Sequence, residues 1–216
     1  MASALYNVSA STVPLQVLRT TRIIHEAANK WFIPSYSSIK FLTSAPTIES
    51  IPDLHPSTPE GRTQALNFFG LKRLRSTSPG HDLVLVDAPG YGERGRPEWG
   101  VLFDHYIRTR DTLRCIYLLI NAQHGLTEHD KMMLRFLDLE SKSRTFNIQP
   151  IVTKTDRIQV PKLTQTCNQV RDVILDLAPR CLPLIYSTAG SRDKRRYGRI
   201  EIRSSILEQC HVLDKK

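Results

Sequence analysis

The 216-residue chain is predicted to fold as an α/β protein with a parallel-rich sheet and helices on both faces. Three observations predict this. Short unbroken apolar runs, rich in Leu, Ile and Val, recur at residues 83–87, 115–122 and 148–152, as strands buried on both faces do. Segments with helical spacing separate them, which is the order of strand–helix–strand units. The 40% hydrophobic content suffices for one ordinary core. No stretch approaches the ~18 to 20 uninterrupted apolar residues of a membrane helix, so no membrane span is expected.

In chain order, "RTTRIIHEAANKWF" (19–32) suits a short amphipathic helix. Pro34, Pro46, Pro52, Pro56 and Pro59 predict an irregular segment over 34–60. "TQALNFFGLKRL" (63–74) reads as a strand, and "STSPGHD" as the turn after it. "LVLVDAPG" (83–90) is a buried strand ending in a Pro-Gly loop. "EWGVLFDHYIRTRDTLR" (98–114) carries Val101, Leu102, His105 or Tyr106, and Leu113 at helix-like positions. "CIYLLINA" (115–122) is the second buried strand. "TEHDKMMLRFLDLESK" (127–142) opens on a capping-box pattern, Thr127 with Asp130, and places Met132, Met133, Phe136 and Leu137 on one face. "IQPIVTK" (148–154) is a third strand and "QTCNQVRDVILDLA" (165–178) a helix. "LPLIYSTAG" (182–190) is a fourth strand with its loop, and "IEIRSSILEQC" (200–210) a last helix. No internal repeat is found.

Ligands of such sheets bind beyond the carboxyl ends of the strands. The informative positions are therefore 87–92, 121–125, 153–156 and 187–190. At the first, "VDAPGYG" sets Asp87 at a strand end, followed by Ala88, Pro89 and Gly90. A carboxylate there suits Mg²⁺ bound through water, and a glycine lets backbone approach a terminal phosphate. As a turn alone, D-x-P-G is also ordinary chemistry. At the third, "TKTD" offers Thr153, Lys154 and Asp156. An Asp carboxylate there can accept two N–H bonds from a guanine edge, and adenine lacks that donor pair; the lysine stem lies over base or sugar. At the fourth, Ser187, Thr188 and Ala189 of "STAG" can present a backbone N–H to the guanine oxygen.

Lys plus Arg outnumber Asp plus Glu by 30 to 21, a net charge of +9. That balance favours phosphate-rich partners, RNA first. Part of the excess is clustered, at Lys72, Arg73 and Arg75 and at Arg192, Lys194, Arg195, Arg196 and Arg199, with Tyr197 among the latter as a stacking residue would be. The four cysteines have no C-x-x-C spacing and read as reduced thiols rather than metal ligands. Residues 1–25 contain no acid and include Arg19 and Arg22, which predicts a mitochondrial transit segment; a cytoplasmic protein with a basic tail is the alternative. Residues 1–37 form an N-terminal extension, and 38–212 the domain.

"SAP" (44–46) with "IP" (51–52), "GRTQALNFF" (61–69), "VDAPGYG", "TKTD" and "STAG" together resemble the EngB/YihA-type GTPases of the TrmE-Era-EngA-EngB-Septin class. The resemblance covers about residues 41–210, and "GRTQ" running into "NFF" is its most specific piece. It implies a Ras-like P-loop GTPase fold that binds and hydrolyses GTP with Mg²⁺ and assists large ribosomal subunit assembly, with ribosomal RNA as partner. Eukaryotic versions act in organelles. Carried over by position, Thr63 is the switch threonine on Mg²⁺ and Asp87 also serves the ion. Gly90 serves the γ-phosphate, Lys154 and Asp156 the guanine, and residues 187–189 the base-contacting loop. The chain is expected to act as a monomer. "GERGRPEW" departs from the family pattern after the Pro-Gly-Tyr-Gly turn, and "NAQHG" replaces an Asp-x-Arg-His.

One part of the family pattern is missing. G-x-x-x-x-G-K-[ST] does not occur, no Gly-Lys pair exists, and the only glycine before Gly70 is Gly61. A strand, phosphate loop and helix need roughly 25 to 35 residues, whereas "IPDL" passes almost directly to "STPEGRTQ". In a Ras-like sheet that strand is central, so the strands at 83–87 and 115–122 should lack a neighbour between them. The sheet must then close up, admit another segment such as "SIKFLTSA" (38–45), or fail to fold. A skipped exon and a degenerate G domain both account for the junction. The loss argues against turnover, and leaves a nucleotide-free module that docks on ribosomal RNA as the alternative function.

Overall fold

The computed structural model describes residues 31–32, 37–51, 65–74, 76, 80–88, 97–188 and 197–210, with backbone alone at 97–99. The predicted helix over 19–32 lies outside them except for its last two residues. Six strands and four α-helices are described: β1 (Ser37–Ala45), β2 (Leu66–Arg73), β3 (Leu83–Asp87), α1 (Pro97–Thr109), β4 (Cys115–Asn121), α2 (Glu128–Ser143), β5 (Asn147–Thr153), α3 (Val160–Leu177), β6 (Ile185–Tyr186) and α4 (Arg199–Gln209).

The strands form two sheets of three. β1-β2-β3 is antiparallel throughout, and β4-β5-β6 is parallel throughout. Among the described residues no backbone ladder joins β3 to β4, so the break falls where the sequence predicts a strand to be missing. "SIKFLTSA" does not fill it. It lies in β1, on the outer edge of β2, with Ile39 opposite Leu71 and Phe41 opposite Phe69.

Helices hold the halves together from both faces. On one face, α1 sets Leu102 and Tyr106 against Leu66 and Phe68 of the first sheet, and Ile107 against Ile148 of the second. α2 and α3 cover the rest of that face, with Leu134, Val170 and Ile174 on Leu118, Ile120 and Val152. On the other face, Ile206 and Leu207 of α4 pack on Leu71 and Leu83, with Tyr117 of β4 against the same cluster. Ser205 links to two of the three parallel strands, to Tyr117 Oη of β4 at 3.3 Å and to Gln149 Oε1 of β5 at 3.1 Å.

Several local expectations are corrected. Residues 34–60 are not irregular throughout: they contain β1 and a 3-10 turn, Ile48–Ser50. The helix expected over 98–114 ends at Thr109, and Leu113 N–H bonds to Arg110 O in a turn. In α2 the buried positions are Leu134, Leu137 and Asp138, while Met132 is exposed; 130, 133, 134 and 137 give the i, i+3, i+4, i+7 stripe that 132 leaves. The predicted capping box holds, with Thr127 N–H to Asp130 Oδ2 at 2.7 Å and Asp130 N–H to Thr127 Oγ1 at 3.2 Å. α3 begins at Val160, five residues earlier than predicted, because Pro161 suits a first helical turn.

Candidate functional site

Three loops meet at the carboxyl ends of β4, β5 and β6. β5 delivers "TKTD" there because its buried residues Ile148, Ile151 and Val152 anchor it between neighbours on both sides. Thr153 Oγ1 donates to Ile120 O at 3.2 Å, and Ala122 N–H to Thr153 O at 3.0 Å, which fixes the loop to β4. Lys154 adopts φ 57°, ψ 35°, the only non-glycine with positive φ among the described residues. A left-handed conformation costs a side-chain-bearing residue about 1 to 2 kcal/mol, and such outliers concentrate at ligand sites. It turns the chain so that Thr155–Arg157 can close a 3-10 turn, with Asp156 exposed on it.

Thr155 is the fastening. It is buried, and both its N–H and its Oγ1 donate to Ser187 O at 3.1 Å. Ser187 N–H in turn donates to Val152 O at 2.8 Å, and Thr188 N–H to Tyr197 O at 3.4 Å. The sequence singles out Thr153 but not Thr155, which stands in the variable place of the motif and whose role is visible only once the neighbouring loop is known. Gly198 is a further participant without a sequence signal. Its φ is 82°, and a Cβ there would stand 2.1 Å from Tyr186 O. Thr188 Oγ1 is buried with no hydrogen-bond partner among the described residues, a group that a ligand or water at this loop would satisfy.

The phosphate side is less complete. Asp87 is exposed at the end of β3, opposite Asn67, with Ala88 half-buried beside the α1 cluster. Both stand on the first sheet, across the break from the base-side loops. Thr63, Pro89, Gly90 and Ala189 lie outside the described residues, as do Arg75, Arg192, Lys194, Arg195 and Arg196. No group of three or more His, Cys, Asp or Glu among the described residues could cage a metal.

Of the two basic clusters, the described members Lys72, Arg73 and Arg199 do not form one patch. Arg199 starts α4 beside the base-side loops, since Gly198 abuts Tyr186 and Ser187. Lys72 and Arg73 end β2 at the opposite end of the sheets, where Arg73 pairs with Asp82 at 3.3 Å and stacks 5.4 Å over Trp31. Arg73 therefore has structural employment. A cavity of about 260 Å³ lined by Arg110, Asp111, Ser143 and Arg144 also sits at that far end, by the amino ends of β4 and β5, away from the motif loops.

The four cysteines are half-buried free thiols. Burial pushes the thiols of Cys115 and Cys181 up to about 12, which leaves them protonated and unreactive.

No family model matches the chain. It is similar to several proteins described as "Probable GTP-binding protein EngB". It is 36% identical to that of Allorhizobium ampelinum over 164 residues, covering 70% of this chain and 68% of the relative. The corresponding protein of Bartonella tribocorum is 33% identical over 160 residues, 70% of each. That of Rhizobium etli is 32% identical over 168, 74% of this chain and 73% of the relative. No helix among the described residues is long and apolar enough to cross a membrane. With the motif loops at the strand ends and relatives of this identity and coverage, the chain belongs to the EngB family of GTP-binding proteins, which share the Ras-like GTPase fold.

Proposed function

We propose that this chain recognises guanine nucleotides through the loops at 153–156 and 187–189 and takes part in assembly of the large ribosomal subunit in mitochondria. The observation that carries the nucleotide reading is the double hydrogen bond from Thr155 to Ser187 O, which holds the Lys154–Asp156 loop and the 187–188 loop as one unit. Guanine recognition needs both loops fixed relative to each other. The ribosomal reading rests on family membership and on the net charge of +9, and the mitochondrial reading on the acid-free first 25 residues.

Mg²⁺ fits as an ion that arrives with the nucleotide. Asp87 supplies one exposed hard oxygen donor, suited to an ion that keeps most of its water, and Thr63 is the second candidate. When bound, the ion would neutralise phosphate charge. Asp87 would hold its hydration shell, and Lys154 and Asp156 would orient the base.

A titration with a fluorescent GDP analogue tests the reading. Asp156→Asn weakens binding of guanine nucleotide and strengthens that of xanthine nucleotide, because the amide donates where the carboxylate accepts. Equal affinities of both proteins for GDP and XDP would remove Asp156 from the site. The second reading, an RNA-docking module without nucleotide, is favoured by one observation: among the described residues no strand fills the break between β3 and β4, where a phosphate loop would start.

A further inference from the structure

α4 covers only part of its face of the first sheet. Cross-strand pairing puts Ile39 beside Leu71, and Phe41 beside Phe69, which itself pairs with Leu85. Leu71 and Leu85 belong to the α4 cluster, so all five residues share that face. Yet Ile39 is 58% exposed and Phe41 37%, with Phe69 half-buried and set edge-on to Phe41 at 5.5 Å. This is an apolar strip with no cover among the described residues.

Trp31 points to what covers it. It is helical, only 6% exposed, and packed in the cluster of Leu71, Leu83, Ile206 and Leu207. Phe32 packs against the same cluster, under the Arg203 guanidinium at 5.3 Å. Ser37 Oγ donates to Trp31 O, so the first residue of β1 sits beside the helical one. Five residues, 32–36, are within the ordinary length of a connection between elements, and would let a helix ending at Trp31 double back along β1 over the strip. The sequence suits that placement. At about 3.6 residues per turn, Ile23, Ile24, Ala27, Ala28 and Trp31 fall on one side, and Arg22, His25, Glu26, Asn29 and Lys30 on the other. Twelve helical residues span about 18 Å, enough for the ~13 Å from Ser37 to Phe41.

We propose that residues 19–30 dock as an amphipathic helix on the strip formed by Ile39, Phe41 and Phe69, with Trp31 as its anchor. The segment before β1 is then a structural part of the domain, whatever the residues upstream of it do.

The test places a photoreactive benzoylphenylalanine at Ile24, and separately at Arg22, in the full chain. Irradiation followed by mass spectrometry of the monomer reads the contact. The probe at 24 should crosslink within the chain to peptides 37–45 and 66–73, and the probe at 22 should not. Equal yields from both positions, crosslinks at 24 only in covalent dimers (a second copy as occupant), or crosslinks away from these strands would overturn the proposal. Independently, Ile24→Glu should lower the unfolding temperature by several degrees and raise iodide quenching of Trp31, while Arg22→Glu changes neither. Matching behaviour of the two variants would overturn it as well.

Discussion

Gly198→Ala should unlatch the base-side loops. Gly198 precedes α4 at φ 82°, ψ −13°. A Cβ at this position would meet Tyr186 O at 2.1 Å, Ser187 Cα at 2.8 Å and Ser187 Cβ at 2.9 Å. Two of these atoms are backbone, so relief requires the chain at 186–187 to retreat by about 1 Å or α4 to tip away, given an ordinary contact of about 3.4 Å or more. The left-handed conformation costs alanine about 1 to 2 kcal/mol. Retreat of the loop also strains Ser187 N–H to Val152 O at 2.8 Å and both Thr155 bonds to Ser187 O at 3.1 Å. Loss of two of these at ~0.5 to 1.5 kcal/mol each brings the total to about 2 to 5 kcal/mol. For a chain of this size that lowers the unfolding temperature by roughly 4 to 20 °C. Thermal unfolding followed by circular dichroism measures it, and a nucleotide titration of the same variant should show weakened guanine binding. Gly100→Ala is the internal control. It lies in α1 with nothing within 4 Å of the new Cβ, and should stabilise by about 0.5 to 1 kcal/mol. An unchanged unfolding temperature for Gly198→Ala, beside the expected gain for Gly100→Ala, would refute the packing of the loop on α4.

Three further outcomes are expected. A phosphate loop supplies several charge-assisted contacts at ~1.5 to 3 kcal/mol each, so their absence weakens binding by ~5 kcal/mol or more, from micromolar to millimolar at ~1.4 kcal/mol per tenfold; the chain should show no measurable GTP hydrolysis, and a family-type strand–loop–helix inserted between Leu54 and Gly61 should restore both, with micromolar binding by the present chain as the contrary result. RNA binding should fall steeply with salt, and neutralising Arg195 and Arg196 together should flatten the log–log slope by about one to two units; an unaltered slope returns them to the solvated surface. Burial raises the Asp82 carboxyl, but Arg73 N–H at 2.8 Å, Ser76 Oγ at 2.9 Å and the Arg73 guanidinium outweigh it and hold the group below its ordinary value. Its stabilisation is thus present above about pH 4 and lost as pH falls through the folded value, so Asp82→Asn should flatten the acid limb of the stability curve below about pH 4 while leaving its shape near neutrality.

What the sequence disclosed depended on how each element is buried. β3, β4 and β5 were legible because runs such as "IYLLI" and "PIVT" have apolar residues on both faces. β1 was legible only as the candidate filler "SIKFLTSA", and not as the edge strand it is. As an edge strand with Ser38, Ile39, Lys40 and Phe41 all exposed, it has no period to detect, and the flanking prolines argued for a loop. β6 kept only Ile185 and Tyr186 of the predicted run, although Leu182 N–H still bonds to Ile148 O at 2.8 Å. At the site, Lys154 and Asp156 announced themselves by residue type and spacing. Thr155 and Gly198 did not, since their roles are contacts between loops distant in sequence.

The break between β3 and β4 bears on which function this chain can carry. A sheet normally transmits position through its ladder, so that the end of one strand is fixed relative to the next. Among the described residues no ladder makes that link between Asp87 and the base-side loops, and the two sheets are related through side-chain packing, by helices and by Tyr117 of β4 against the first-sheet cluster. α1 does this through Tyr106 and Ile107, packed on opposite halves, and α4 through Leu207 and Ser205. Side-chain packing of this kind tolerates sliding that hydrogen-bonded strands do not, because its attraction is non-directional. The base side carries its own ties: the bonds described for it join β4, β5, the 153–156 loop, the 187–188 loop and Tyr197 before α4. On the proposed reading, the base-side loops can discriminate guanine although no ladder among the described residues fixes their distance to Asp87. Base recognition and phosphate chemistry, coupled in a continuous sheet, are separable here. A nucleotide could be read by such a chain well before it could be hydrolysed.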